Sequence, residues 1–139
     1  MQKRVIDVIL PVIFHESVIC VYRVWFGDSF YIGSTVNLNV RINLLCRVVL
    51  GCFEGKRIGR NSPTEIMNHL IRNPDINQAI VEVIEFVSSE YELVEAERSW
   101  IDKYFLDINC LNYSNKTSRK INGVMIRPAS QSVCRKNIG

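Results

Sequence analysis

A glutamate set into an apolar helix stripe is the first residue of this 139-residue chain whose chemistry needs explaining. Residues 89–105 read as a helix, and at about 100° per residue Leu93, Trp100, Ile101 and Tyr104 share one stripe. Glu97 lies inside it, one turn from Leu93 and one from Trp100, whereas Glu95 and Asp102 fall on the opposite face. An ionised carboxylate on a buried face costs several kcal/mol unless something pairs with it. Glu97 is therefore either a structural ion-pair or stripe-edge residue, or a carboxylate kept inward to hold a hard cation such as Mg²⁺. On an earlier helix Arg41 borders the apolar positions Leu45 and Val48, where it either snorkels or offers bidentate contacts to phosphate. Arg23 projects from a preceding hairpin. Tyr22 and Tyr31 stand on the paired strands of that hairpin, either as core residues with satisfied hydroxyls or as phenols of a site. Each residue alone has an ordinary structural explanation. The combination of two tyrosines, an arginine, an inward glutamate and a basic tail favours a functional centre.

The elements that must position these groups belong to a single domain with a real core. The length lies in the usual one-domain range, and such a chain buries roughly two-thirds of its unfolded surface. Composition is 47% hydrophobic and 22% charged, which excludes disordered, collagenous and disulfide-scaffold classes. The longest apolar run, Val5 to Phe14, is broken by Asp7 and Pro11 and falls short of the ~20 residues of a membrane span. Lys3 and Arg4 precede it as in a secretory signal, but His15 and Glu16 follow where a cleavage site needs small residues. Cys20, Cys46, Cys52, Cys110 and Cys134 form no C-x-x-C pair, and neither His15 nor His69 lies at zinc-ligand spacing, so reduced and mostly buried thiols are expected. These features predict a soluble, intracellular protein without a membrane partner. The net charge is only +3, but residues 113–139 carry six basic residues and no acid, a local +6 on a mildly acidic body. A tail of that kind suits a polyanion.

Residues 17–26 are β-branched and aromatic and read as a strand; Gly27-Asp28 turns the chain into a second strand, Ser29 to Ile32, and Gly33 to Val36 read as a loop. Asn37 caps a helix with Leu38, Ile42, Leu45, Val48 and Val49 on its apolar stripe. Residues 51–61 are a Gly-rich basic loop. Ser62-Pro63-Thr64-Glu65 opens a second helix that Asn73-Pro74 must stop. Ala79 to Val87 alternates as a third strand, and Ser89 with Glu92 forms a capping box for the helix that carries Glu97. The expected fold is α+β, order β-β-α-α-β-α, with a small three-stranded antiparallel sheet flanked by helices. An N-terminal extension (1–16) would precede the domain (17–113), and a basic tail (114–139) would follow it.

These residues resemble the GIY-YIG nuclease family. Cys20-Val21-Tyr22 stands where the first triplet should be, keeping its tyrosine, and Tyr31-Ile32-Gly33 is the second triplet intact. It continues through Ser34, Thr35, Asn37 and Leu38 to Arg41, eight residues after the glycine as in the family. Glu95-Ala96-Glu97-Arg98-Ser99-Trp100-Ile101 resembles the helix that carries the family's metal-binding glutamate, and its Trp-Ile pair selects Glu97. Asn112 matches the asparagine that closes the family core. Leu45 departs from the histidine or tyrosine of many members, and no histidine stands near Asn61 or Ser62; Lys56 or Arg60 are the nearest substitutes.

The resemblance implies a DNA endonuclease that hydrolyses phosphodiester bonds with one divalent cation, Mg²⁺ or Mn²⁺, on Glu97. Tyr22 would be the general base, Arg41 would stabilise the phosphate, Tyr31 would orient water or phosphate, and Asn112 would support the site. Lys56, Arg57 and Arg60 of the loop and Lys116, Arg119 and Lys120 of the tail would contact the DNA backbone. Sequence choice would come from the loop, from a homodimer or from a partner protein. The alternative is a catalytically weak DNA-binding or interaction module on the same fold.

Overall fold

The computed structural model describes residues 7–9, 18–44 and 64–129. Its elements are β1 (Asp7–Ile9), β2 (Cys20–Phe26), β3 (Ser29–Thr35), a helix α1 over residues 38–44, α2 (Thr64–Arg72), β4 (Gln78–Phe86), α3 (Glu90–Tyr104), β5 (Arg119–Ile121) and β6 (Val124–Ile126). The fold is α+β. One four-stranded sheet has the order β1-β4-β2-β3, and β5 and β6 form a separate two-stranded sheet.

The three antiparallel strands expected from the sequence are present. Gly27 takes the turn between β2 and β3 at φ 67, the positive value that the first position of a type II′ hairpin turn requires. That turn sets a continuous register from Phe26 opposite Ser29 to Cys20 opposite Thr35. β4 pairs antiparallel with the other side of β2, shifting register between Val21 and Tyr22.

Three expectations are corrected. The sheet has four strands and is mixed, because Asp7–Ile9, read as part of an extension, lies parallel to Gln78–Ile80 on the side of β4 that β2 leaves unpaired. The loop expected from Gly33 is strand as far as Thr35, since Gly33, Ser34 and Thr35 all pair with β2. Part of the basic tail is a packed hairpin. Asn122 (φ 51) and Gly123 (φ 82) both adopt the left-handed backbone that a type I′ turn needs. Ile121 is buried, Thr117 donates to the Val94 carbonyl at 2.9 Å, and Asn115 donates to Asp102 at 2.7 Å, so the segment is tied to α3.

Alternation along the strands divides the core between the two faces of the sheet. Cys20, Tyr22, Val24 and Phe26 of β2 pack with Leu38 and Ile42 of α1 and with Ile66 and Leu70 of α2. Val21, Phe30 and Ile32 pack with Leu93, Ile101 and Phe105 on the α3 side. α2 ends at Arg72, one residue before the Asn73-Pro74 pair. His69 is a structural residue: Nε2 faces the Phe26 carbonyl at 3.2 Å, and Nδ1 faces the Asn73 amide at 3.3 Å. Ser89 caps α3 through the Glu92 N–H, and Glu92 reaches back to the Ser88 N–H, one residue earlier than in the usual capping box. Cys20 and Cys110 are buried, and burial pushes the Cys20 thiol up to about 11. Among the described residues no helix is long and apolar enough to cross a membrane.

β3 is an edge strand, and residues 109–112 cover part of that edge. Phe30 N–H donates to the Asn109 carbonyl at 2.9 Å, and Leu111 N–H to the Phe30 carbonyl at 2.7 Å. Asn112 then mimics a strand partner with its side chain, accepting from Ile32 N–H at 3.0 Å and donating to the Ile32 carbonyl at 2.9 Å. Truncating Asn112 would orphan both backbone groups next to a fully buried isoleucine. Asn112→Ala is expected to destabilise the protein by about 2–4 kcal/mol, read by denaturant unfolding; a loss below about 0.5 kcal/mol, the scale of an unremarkable surface change, would contradict this role.

Candidate functional site at the edge of the sheet

The centre forms around Gly33. In the hairpin register Tyr22 lies opposite Gly33, and its ring lies across that glycine. A Cβ built on Gly33 would stand 2.6 Å from Tyr22 Cζ and 3.1 Å from Cε1, too close for any other residue without moving the phenol. The ring thereby reaches α1, where Arg41 Nε donates to the Tyr22 hydroxyl oxygen at 2.9 Å. α1 is itself positioned by its entry turn. The Asn37 side chain accepts from Val40 N–H at 3.2 Å, as an N-cap does, and Thr35 Oγ1 accepts from Asn37 N–H at 3.0 Å.

The opposite side of the β3 edge carries the carboxylate. Ser34 Oγ donates to Glu97 Oε1 at 2.8 Å. Arg119 Nη1 donates to the same Ser34 oxygen at 3.3 Å, and Arg119 Nε donates to Glu90 Oε1 at 3.3 Å. A cleft of about 220 Å³ opens here, lined by the polar Ser34, Thr35, Asn37, Arg41 and Arg119 and by the apolar Val36, Val40 and Leu44. Two arginines from distant parts of the chain therefore face one open space.

The groups influence one another electrostatically. Burial raises Tyr22 above the ordinary phenol value, and the charge and hydrogen bond of Arg41 pull it back only in part. Burial also raises Tyr31, with the nearby Tyr22 and Glu97 adding to the effect. The Tyr22 oxygen beside Arg41 keeps the guanidinium firmly cationic. Burial raises the Glu97 carboxyl, while the Ser34 hydrogen bond, Arg119 and Arg41 lower it. A raised carboxyl keeps its proton to higher pH than an exposed glutamate, so the negative form depends on those three neighbours.

The structure thus brings Tyr22, Tyr31, Arg41 and Glu97 into one neighbourhood. Of these four only Arg41 lines the cleft, and Asn112, which holds the backbone at Ile32, does not enter it either. Lys116 and Lys120 are exposed, and Lys56, Arg57 and Arg60 lie outside the described residues. Sequence reasoning gave Ser34 no role, although its two-residue spacing from Ile32 puts it on the α3 side, where Glu97 points. Arg119 was expected to be one of several tail contacts; β5 instead carries it to the mouth of the site. Arg23 is taken up elsewhere, paired with Glu82 and lying 4.7 Å above the Trp25 ring. Comparison with family models, with curated proteins and with solved structures gives no match.

Gly33→Ala is expected to destabilise the protein by about 1–3 kcal/mol by forcing the Tyr22 ring off the strand. Because the clash is with that ring, the loss should shrink in a Tyr22→Ala background, a coupling read by a double-mutant cycle of unfolding free energies. Additive losses would contradict the contact.

Proposed function

We propose that this protein is a metal-dependent DNA endonuclease of the GIY-YIG type. The observation that carries the reading is the convergence of Tyr22, Arg41 and Glu97 on the two sides of one strand edge, with Arg41 bonded to the Tyr22 oxygen at 2.9 Å. A phenol, an arginine and an inward carboxylate can together serve phosphodiester hydrolysis, and they are the residues that the sequence resemblance marks.

The donor set fits a single hard cation. Glu97 is half-buried; Ser34 holds one carboxylate oxygen, and the other has no hydrogen-bond partner among the described residues. Those residues contain no group of three or more metal-ligating side chains. One carboxylate plus water and substrate phosphate is a usual way to bind Mg²⁺. Bound there, Mg²⁺ or Mn²⁺ would supply Lewis-acid stabilisation of the phosphate and the leaving oxygen. Arg41 would add a fixed positive charge where negative charge grows on the phosphate. Its hydrogen bond also favours the anionic form of Tyr22, the form able to take a proton from water, against the burial that favours the neutral phenol. Tyr31, half-buried in the same core cluster as Tyr22, would limit where water or phosphate can stand. The exposed Lys116 and Lys120 suit backbone contacts beyond the cleft.

The test is nicking and linearisation of supercoiled plasmid with Mg²⁺, beside an EDTA control and Glu97→Gln. The wild type should cut only with metal. The variant, which keeps the shape and loses the charge, should fall by at least about 100-fold in rate while binding DNA nearly as well, as expected when the ligand of an essential ion is lost. Equal cutting by Glu97→Gln would contradict the metal assignment. Salt-sensitive binding without any cutting, on duplex, branched and single-stranded DNA alike, would favour the binding module.

A further inference from the structure

Arg119 lies outside the span of motifs that supports the nuclease reading and is held differently from its basic neighbours. It is half-buried, whereas Lys116 and Lys120 are exposed. Lys120 is the next residue on β5 and so projects from the opposite face. Arg119 is tethered at two points, by Glu90 and by Ser34, and Ser34 in turn donates to Glu97. These bonds use two of the five N–H groups of the guanidinium among the described residues. Arg41 is similar: Nε is committed to Tyr22, and its terminal nitrogens have no acceptor among the described residues. Both arginines line the same 220 Å³ cleft.

A phosphodiester approaching Glu97 meets a carboxylate and is repelled unless cations flank it. A second fixed arginine is suited to that task, because its planar donors match phosphate oxygens and its side chain is already ordered. Resting on the nuclease reading for its substrate, we infer that Arg119 is a second phosphate-binding residue of the site, facing with Arg41 into one cleft so that the two guanidiniums hold the backbone of the incoming strand. Glu90 occupies Arg119 when no phosphate is present. The C-terminal hairpin is then a wall of the site, and its Asn122-Gly123 turn serves to deliver Arg119.

A probe too short to span the tail isolates this role: single-stranded tetrathymidylate, titrated into the full chain in EDTA at low salt and followed by the Ser34 backbone amide signal. Arg119→Gln keeps a polar side chain but carries no charge, and should weaken binding about tenfold, the loss expected for one charge-assisted contact. Arg119→Lys should recover most of that loss, and Arg72→Gln, at the exposed end of α2 and outside the cleft, should stay within about twofold of wild type. Wild-type affinity in Arg119→Gln, or an equal loss in Arg72→Gln, would overturn the inference. Should Arg119→Gln fail to fold, Glu90→Gln leaves the arginine in place and removes its competitor; affinity should then rise about twofold to threefold, the scale of one exposed ion pair, and no rise would overturn the inference. The two readings fail separately. A chain that cuts plasmid but binds the probe equally well in Arg119→Gln loses only this inference. One that cuts nothing yet loses probe affinity in Arg119→Gln loses only the nuclease reading.

Discussion

The site depends on a glycine in the middle of an edge strand. Glycine weakens a strand because it packs nothing and must be ordered from a wide range of conformations. Here it leaves the space across which the Tyr22 ring lies, and the ring could not reach Arg41 by that route over any larger residue. The pairing of Tyr22 with Gly33 follows from the Gly27-Asp28 turn, since a slip of one residue would invert every side chain on β3. An edge strand containing glycine invites such a slip. Asn112 opposes it by bonding both backbone groups of Ile32, one residue from Gly33, while the backbone of residues 109–111 holds Phe30. The asparagine therefore contributes through the strand it fixes.

Electrostatics at the edge are a balance between burial and a few cations. Tyr22, Tyr31 and Glu97 are all pushed towards their neutral forms by desolvation. Arg41 opposes this on one side of the strand, and Arg119, through space and through Ser34, opposes it on the other. Arg41 does not suffice to bring Tyr22 down to its ordinary value. Positive charge brought beside Glu97 would stabilise its ionised form, which is the physical basis of the cation site proposed there.

What was legible in the sequence was local. The Gly-Asp turn between alternating runs, the Ser89 cap and the Asn73-Pro74 stop each act through a few adjacent residues, and the elements they bound appear where expected. Glu97 was legible because helical periodicity makes a misplaced charge conspicuous, and Arg41 because a motif run marked it. The departures are non-local. β1 is a three-residue strand, too short to display a period, and its parallel pairing with β4 joins segments about 70 residues apart. The C-terminal hairpin did carry a signal, the Asn122-Gly123 dipeptide, which positive charge in the same segment obscured. Nothing near Arg119 in the chain reveals that it docks beside Ser34, because that contact spans 85 residues and rests on the burial of Ile121 and the Thr117 bond to α3. The later part of the first helix stripe, Leu45, Val48 and Val49, and the basic loop at 51–61 lie outside the described residues.

The central claim is that Glu97 marks a cation site at the edge of β3, shared with Tyr22 and Arg41. The most direct measurement is a Mn²⁺ titration followed by paramagnetic broadening of backbone amide signals, in the wild type and in Glu97→Gln. The account predicts early broadening centred on Gly33, Ser34, Thr35 and Glu97, and its loss in the variant. Broadening centred elsewhere, or the same pattern in Glu97→Gln, would contradict it.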